Sequence, residues 1–74
     1  MQKTNTLFTS VEISIMDVIN DYGQSTIDFL ASHIYCSIEE LGPYVQKLIK
    51  NNFIESMVDD GILVYKSSPN SVLL

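Results

Sequence analysis

The first part of the chain alternates apolar and polar residues with the period of an α-helix. Apolar side chains recur every three or four positions, which is the spacing of one buried helix face. These residues are Val11, Ile15, Val18, Ile19 and Tyr22. Thr9 and Glu12 have capping-box spacing, and Gly23 follows the run. The pattern predicts a helix over about residues 10–22, with Glu12, Asp17 and Asp21 on its polar outer face.

Two further helical patterns follow, each opened by its own capping signal. Ser25 with Asp28 opens the second helix, and Ser37 with Glu40 opens the third, which ends at Asn51 and Asn52. The apolar faces are Ile27, Leu30, Ala31 and Ile34 in the second helix, and Ile38, Leu41, Val45, Leu48 and Ile49 in the third. Because only about three or four residues separate these two helices, the pattern predicts a helix-turn-helix.

Pro43 lies inside the third helical pattern. Proline has no N–H to donate to the carbonyl of Glu39, one turn earlier. The sequence therefore predicts one of two departures: a kink in the third helix, or a late start with Gly42 as N-cap. Either would shorten the exposed surface of this helix.

After the third helix the pattern becomes typical of β-strands. Residues 53–58 and 62–65 are rich in apolar and β-branched side chains, and Asp60-Gly61 between them is a strong hairpin signal. A third strand is expected from 24–27 or from the N-terminus. We therefore divide the chain into an N-terminal arm (1–8), one domain (9–66) and a C-terminal tail (67–74), which ends in apolar residues.

The stretch LASHIYCSIEELGPYVQKLIKNNFIE, residues 30–55, resembles the helix-turn-helix and first wing strand of MarR-like winged-helix regulators. The shared pattern is leucine-alanine, a short turn, a serine or threonine cap, a helix ending in leucine, a few polar residues and an apolar exit. With the first helix and the wing, the resemblance covers about residues 9–66. It implies an α+β, mainly α fold, a winged helix-turn-helix with three helices followed by a two-stranded wing. Folds of this kind serve many functions.

Length and composition limit the function further. The chain has 74 residues, nine acidic side chains, four lysines and no arginine, for a formal charge of -5. This length suits a single domain. No apolar run approaches the roughly 18 residues that span a bilayer, and no leader pattern is present. We therefore expect a cytoplasmic protein without membrane contact.

The charge pattern argues against conventional DNA binding. The resemblance implies that the third helix enters the major groove and that the wing reaches the backbone. The groove would then meet Glu39 and Glu40, and the wing tip would present Asp59 and Asp60. Four residues are available if DNA is bound: Gln46, Lys47, Lys50 and Lys66.

The sequence thus favours a small non-catalytic regulatory adaptor that acts through protein contacts, with a homodimer as an expected assembly. The candidate interaction residues are Glu39, Glu40, Pro43, Tyr44, Ile13 and Met16. The alternative is a dimeric transcriptional regulator that reads DNA with the third helix. A minor alternative is an acidic nucleic-acid mimic that occupies a basic groove.

An enzyme is not expected. Cys36 and His33 are three residues apart, but a cysteine in such a turn is more typical of the core, and a histidine on such a helix is typical of the surface. A single cysteine cannot form an internal disulfide, and one cysteine with one histidine cannot complete a four-ligand zinc site. We therefore expect no catalytic residues, metal or cofactor.

Overall fold

The computed structural model of this protein describes residues 8–69. The elements are α1 (Ser10–Tyr22), α2 (Ile27–Ile34), α3 (Ile38–Lys50), β1 (Ile54–Asp59) and β2 (Ile62–Ser67), the strands forming an antiparallel pair. The predicted class, mainly α with a terminal hairpin, is confirmed, and the arrangement is compatible with a winged helix. The predicted arm up to residue 7 and the apolar end at 72–74 lie outside the described residues.

Both predicted capping boxes are present. In α1, the Thr9 hydroxyl accepts the Glu12 N–H at 3.2 Å, and the Glu12 carboxylate accepts the Thr9 N–H at 2.8 Å. In α3, Ser37 and Glu40 repeat this arrangement, with both distances at 3.1 Å. These side chains satisfy backbone donors that the first helical turn leaves unpaired. The sequence thus defines the starts of α1 and α3 correctly.

The predicted cap of α2 is wrong by one residue. Thr26, not Ser25, accepts the Phe29 N–H, at 3.1 Å. Ser25 instead exchanges two backbone hydrogen bonds of 2.8 Å with Tyr65 of β2. The predicted third strand at 24–27 is thus reduced to one antiparallel bridge, and the N-terminal alternative falls on residues 1–7, outside the described part of the chain. This bridge ties the loop between α1 and α2 to the wing.

One apolar cluster joins all five elements. Its buried members are Ile15, Ile19, Leu30, Leu41, Val45, Leu48, Ile54 and Tyr65. Tyr22 and Ile38, expected on the buried faces, are largely exposed. Each is a terminal residue of its helix, the last of α1 and the first of α3. Their side chains therefore lie at the margin of the core.

The hairpin turn follows the Asp-Gly signal. Asp59 pairs with Ile62, and the two residues between them have positive φ, 54° at Asp60 and 80° at Gly61. A two-residue turn with both φ values positive matches the twist of the strands. β2 is longer than predicted and ends at Ser67, because Ser67 pairs with Ile54.

Helix α3 is continuous through Pro43. It begins at Ile38 on the Ser37 cap, so the predicted late start at Gly42 is wrong. The ring of a proline disfavours helical geometry in the preceding residue partly through that residue's Cβ, which Gly42 lacks. The exposed face of α3 therefore keeps its full length.

Replacing Pro43 with alanine should stabilise the domain. Proline in a helix interior is unfavourable, and alanine restores the N–H donor toward the Glu39 carbonyl. Because Pro43 is exposed, little packing is lost. We expect urea denaturation to show a gain of about 1–2 kcal/mol for Pro43→Ala. Gln46→Ala on the same face should change stability by less than about 0.5 kcal/mol, and an equal gain there would contradict this explanation.

Candidate partner-binding surface

The outer face of α3 carries no net charge. Leu41, Val45 and Leu48 point into the core. Helical spacing places the opposite stripe at Glu39, Pro43, Gln46 and Lys50, all exposed. One carboxylate and one ammonium cancel along this stripe. The face that enters the major groove in helix-turn-helix proteins is therefore electrically neutral here.

The two acids at the start of α3 have different roles. The carboxylate of Glu40 accepts hydrogen bonds from the backbone N–H of Ser37 at 3.1 Å and from its hydroxyl at 3.2 Å. Glu39 is exposed, and its carboxylate has no hydrogen bond or ion pair within the described residues. The negative charges of Glu39 and Glu40 in the first turn also interact favourably with the positive end of the α3 helix dipole. Glu40 is thus engaged in the helix cap, whereas Glu39 is available for external contact.

Glu12, predicted on the outer face of α1, is instead completely buried, with a side-chain exposure of 0%. It lies three residues before Ile15 and seven before Ile19, a spacing that places it on their face of α1. The Lys47 ammonium lies 3.2 Å from Glu12 Oε2. Oε2 makes no hydrogen bond of good geometry with a described residue. The Lys47 ammonium also donates a long hydrogen bond of 3.5 Å to Glu12 Oε1, so the contact combines an ion pair with one weak hydrogen bond.

The environment keeps the Glu12 carboxylate charged. Burial by itself raises its pKa, but the Thr9 backbone N–H, the Lys47 ammonium and the Thr9 hydroxyl together lower the pKa below the ordinary value of 4.5. At neutral pH the anion therefore faces Lys47. The Lys47 side chain is 46% exposed, but its charge is paired with this anion.

A second lysine is also paired. Lys66 Nζ lies 3.4 Å from Glu55 Oε2, and these residues are directly opposed in the hairpin. Of the four residues proposed for DNA contact, Gln46 and Lys50 remain exposed on one face. Within the part of the chain that the structure describes, Lys50 is the lysine without an ion pair.

The tip of the wing combines acids with exposed apolar side chains. We call Val58, Asp59, Asp60, Ile62 and Leu63 the wing tip. Val58, Ile62 and Leu63 are 66%, 56% and 51% exposed. The sequence pattern predicts these three only as strand residues. The signal it missed is their position beside the turn, where a hairpin reaches beyond the helices that cover its base.

The six candidate interaction residues do not form one surface. Ile13 is exposed on the outer side of α1, whereas Met16 and Tyr44 are half-buried and pack against the core. Glu39 and Pro43 lie on the outer face of α3, a different helix. The candidates are therefore divided between two helices, and two of them have a clear packing role.

Cys36 and His33 have separate environments. Cys36 is half-buried against the core, as predicted. His33 is exposed, as predicted, and its ring lies 4.2 Å from the Phe29 ring and 4.9 Å from the Tyr22 ring, measured between centroids. The residues described include no cluster of three or more histidine, cysteine or acidic side chains suited to a metal, and they enclose no pocket. None of their helices has the length and apolarity needed to cross a membrane.

A solved structure shares this fold. The chain is similar to the crystal structure of RV1404 from Mycobacterium tuberculosis, with a TM-score of 0.77 and 14% sequence identity. The similarity covers 84% of this chain and 44% of that one, so this chain spans less than half of its neighbour's length. No protein-family model matches the sequence, and no curated protein matches it. At this level of identity the likeness shows the fold alone.

Proposed function

We propose that this protein is a small, non-catalytic regulatory adaptor of the winged-helix type that acts through protein contacts in the cytoplasm. The observation that supports this most strongly is the charge of its exposed α3 face and wing. The α3 stripe is neutral, and the wing carries two carboxylates beside its turn. In a MarR-like DNA-binding protein the corresponding helix and wing contact DNA, which is strongly negative.

Counterion release shows how many cationic side chains a DNA-binding surface needs and how few this surface has. A protein that contacts about 6–10 phosphates gains most of its non-specific affinity from lysines and arginines at those contacts. Here Lys47 and Lys66 already neutralise Glu12 and Glu55. Lys50 is left as an unpaired cation at the C-terminal end of the α3 stripe, and Glu39 lies at the other end of the same stripe. The electrostatic contribution to duplex binding is therefore close to zero or unfavourable.

One observation favours the second candidate, a dimeric DNA-binding regulator. Gln46 and Lys50 are both exposed and lie one helical turn apart on the outer face of α3. Glutamine can pair with adenine, and lysine can reach guanine or phosphate. Two such helices in a dimer would double these contacts, although the acids would be doubled as well.

A duplex titration tests the proposed function. We expect labelled random-sequence and genomic duplexes, at about 50 mM salt, to show no change in fluorescence anisotropy up to tens of micromolar protein, because each phosphate contact needs a cation that the surface lacks. Binding with a dissociation constant near about 1 μM that weakens steeply with added salt would contradict the adaptor and support the DNA-binding regulator.

A charge-reversal variant tests the reason for this expected result. Glu39→Lys with Asp59→Lys adds positive charge to α3 and the wing, and should bind duplex DNA at least about ten-fold more tightly than its control. The matched control is Asp17→Lys with Asp21→Lys on α1, which changes the net charge equally. Equal duplex affinity of the two variants would show that the charge of the α3 and wing surface is not decisive.

A further inference from the structure

We propose that the wing tip is the docking surface, and that its occupant is a basic amphipathic segment of a partner protein. This inference rests on the proposed function and adds the location of the contact and the chemistry of the partner. The cross-strand pairs of the hairpin assign each of its side chains to one of two faces.

One face of the hairpin extends the protein core outward. Ile54, Tyr65, Val58 and Leu63 share this face with the exposed Ser56, because paired residues lie on the same side and alternate residues follow them. At the base, Ile54 and Tyr65 are buried in the core cluster. Toward the turn, the directly paired Val58 and Leu63 are 66% and 51% exposed. The apolar face thus continues beyond the elements that cover it.

The opposite face of the tip carries one further exposed apolar side chain. Ile62 lies there, paired with Asp59, and is 56% exposed. The three apolar residues therefore surround a tight turn whose two central residues have positive φ. Threonine also favours β-strands, so strand formation alone does not require apolar side chains at these exposed positions. Grouped exposed apolar side chains on a small domain are typical of an interaction surface.

Charge identifies the occupant. Asp59 and Asp60 lie at the turn, and no lysine occurs between residues 58 and 63. Lys66 is nearer the base of the hairpin and pairs with Glu55. A nucleic acid or an anionic membrane would be repelled by this tip. A helix with an apolar stripe flanked by lysine or arginine offers both complementary surfaces.

Two other occupants fit less well. β2 runs from the tip to the base of the hairpin, so the chain leaves at the base, and residues 70–74 would have to reverse direction to reach the tip. A second copy of the chain would bring a second pair of aspartates to the first. Both occupants are outcomes that the experiment below can detect.

The test uses a synthetic helical peptide of leucine and lysine, about 14 residues long, and a matched peptide of leucine and glutamate. Each is titrated into the isotopically labelled full chain while backbone amide chemical shifts are recorded. We expect the lysine peptide to shift the amides of 58–63 most, saturably, and more weakly at high salt. We expect no such shifts with the glutamate peptide. Shifts centred elsewhere would overturn the proposal.

Paired variants separate the tip from the overall charge. Asp59→Asn with Asp60→Asn should weaken binding of the lysine peptide by about five-fold or more, and asparagine tolerates the positive φ at position 60. The control, Asp17→Asn with Asp21→Asn on α1, changes the charge equally and should stay within about two-fold. Equal weakening by both variants would overturn the proposal. So would an undiminished affinity of Val58→Thr with Leu63→Thr.

Two measurements without peptide complete the test. Concentration-dependent shifts of the wing-tip amides would indicate a second copy, and shifts there after Val72→Ser, Leu73→Ser and Leu74→Ser together would indicate the chain's own tail. Either result would overturn the proposed occupant. If duplex DNA does not bind and the peptide maps elsewhere, this inference fails and the adaptor function stands. If duplex DNA binds, the adaptor function itself fails.

Discussion

Replacing Lys47 with methionine is expected to lower the free energy of unfolding by about 2–3 kcal/mol. Methionine keeps most of the aliphatic stem but removes the ammonium 3.2 Å from Glu12 Oε2. The buried carboxylate then has no counter-charge, and removing one partner of a buried pair usually costs about 3–5 kcal/mol. The Lys47 side chain is 46% exposed, so water partly screens the pair and reduces the expected loss. Urea denaturation at neutral pH measures it.

Lys50→Met is the matched control for this prediction. It removes the same charge from the same helix, but Lys50 has no ion pair in the part of the chain described, so the change should stay within about 0.5 kcal/mol. The double variant Glu12→Gln with Lys47→Met should recover much of the loss, because glutamine can still accept the Thr9 N–H in the capping box. Equal effects of Lys47→Met and Lys50→Met would show that the buried pair is not the cause.

The same pair predicts the sign of a pH dependence. The folded-state pKa of Glu12 lies below its ordinary value of 4.5, so its contribution to stability is complete above pH 4.5 and is lost as pH falls through the folded-state pKa. Without Lys47, burial makes the carboxyl easier to protonate. The difference in unfolding free energy between the natural chain and Lys47→Met should therefore shrink on acidification below pH 4.5. A difference that grows would contradict this assignment.

Ile15→Ala is expected to have the larger effect, a loss of about 3–4 kcal/mol in unfolding free energy. Ile15 is completely buried in the core cluster, so alanine leaves a cavity at the junction of the helices. A chain of 74 residues has a total stability on the order of 4–11 kcal/mol at typical values per residue. The variant should therefore be partly unfolded at 37 °C by circular dichroism.

Ile13→Ala provides the control on the same helix. The same atoms are removed, but Ile13 lies on the exposed side of α1, so the loss should be below about 1 kcal/mol. Equal losses of stability in Ile15→Ala and Ile13→Ala would contradict the claim that the Ile15 face of α1 packs into the core.

Local signals predicted much of this fold from the sequence. The boxes at Thr9 and Ser37 and the Asp60-Gly61 turn depend on hydrogen bonds and backbone geometry within a few residues, so the sequence contains them directly. The cap of α2 was misplaced because Ser25 and Thr26 are both good caps. The backbone bridge from Ser25 to Tyr65, a contact over 40 residues of sequence, decides between them.

The candidate surface was harder to predict, because exposure depends on which elements cover each other. Glu12 follows the spacing of the buried face, but a charged residue at such a position usually indicates polar surface. Its burial depends on the Thr9 N–H nearby and on Lys47, 35 residues away in sequence. The exposure of Val58 and Leu63 depends on how far the hairpin extends past the helices. Neither the contact with Lys47 nor the reach of the hairpin is local in sequence.

The near-surface electrostatic potential along α3 and the wing tests the central claim most directly. It can be measured residue by residue by comparing how strongly a cationic and an anionic paramagnetic co-solute relax the exposed amide protons. We predict that the cationic probe has the stronger effect at residues 38–40 and 58–61, with near-equal effects around Gln46 and Lys50. A stronger effect of the anionic probe along the whole outer face of α3 and the wing would contradict the claim and favour a nucleic-acid ligand.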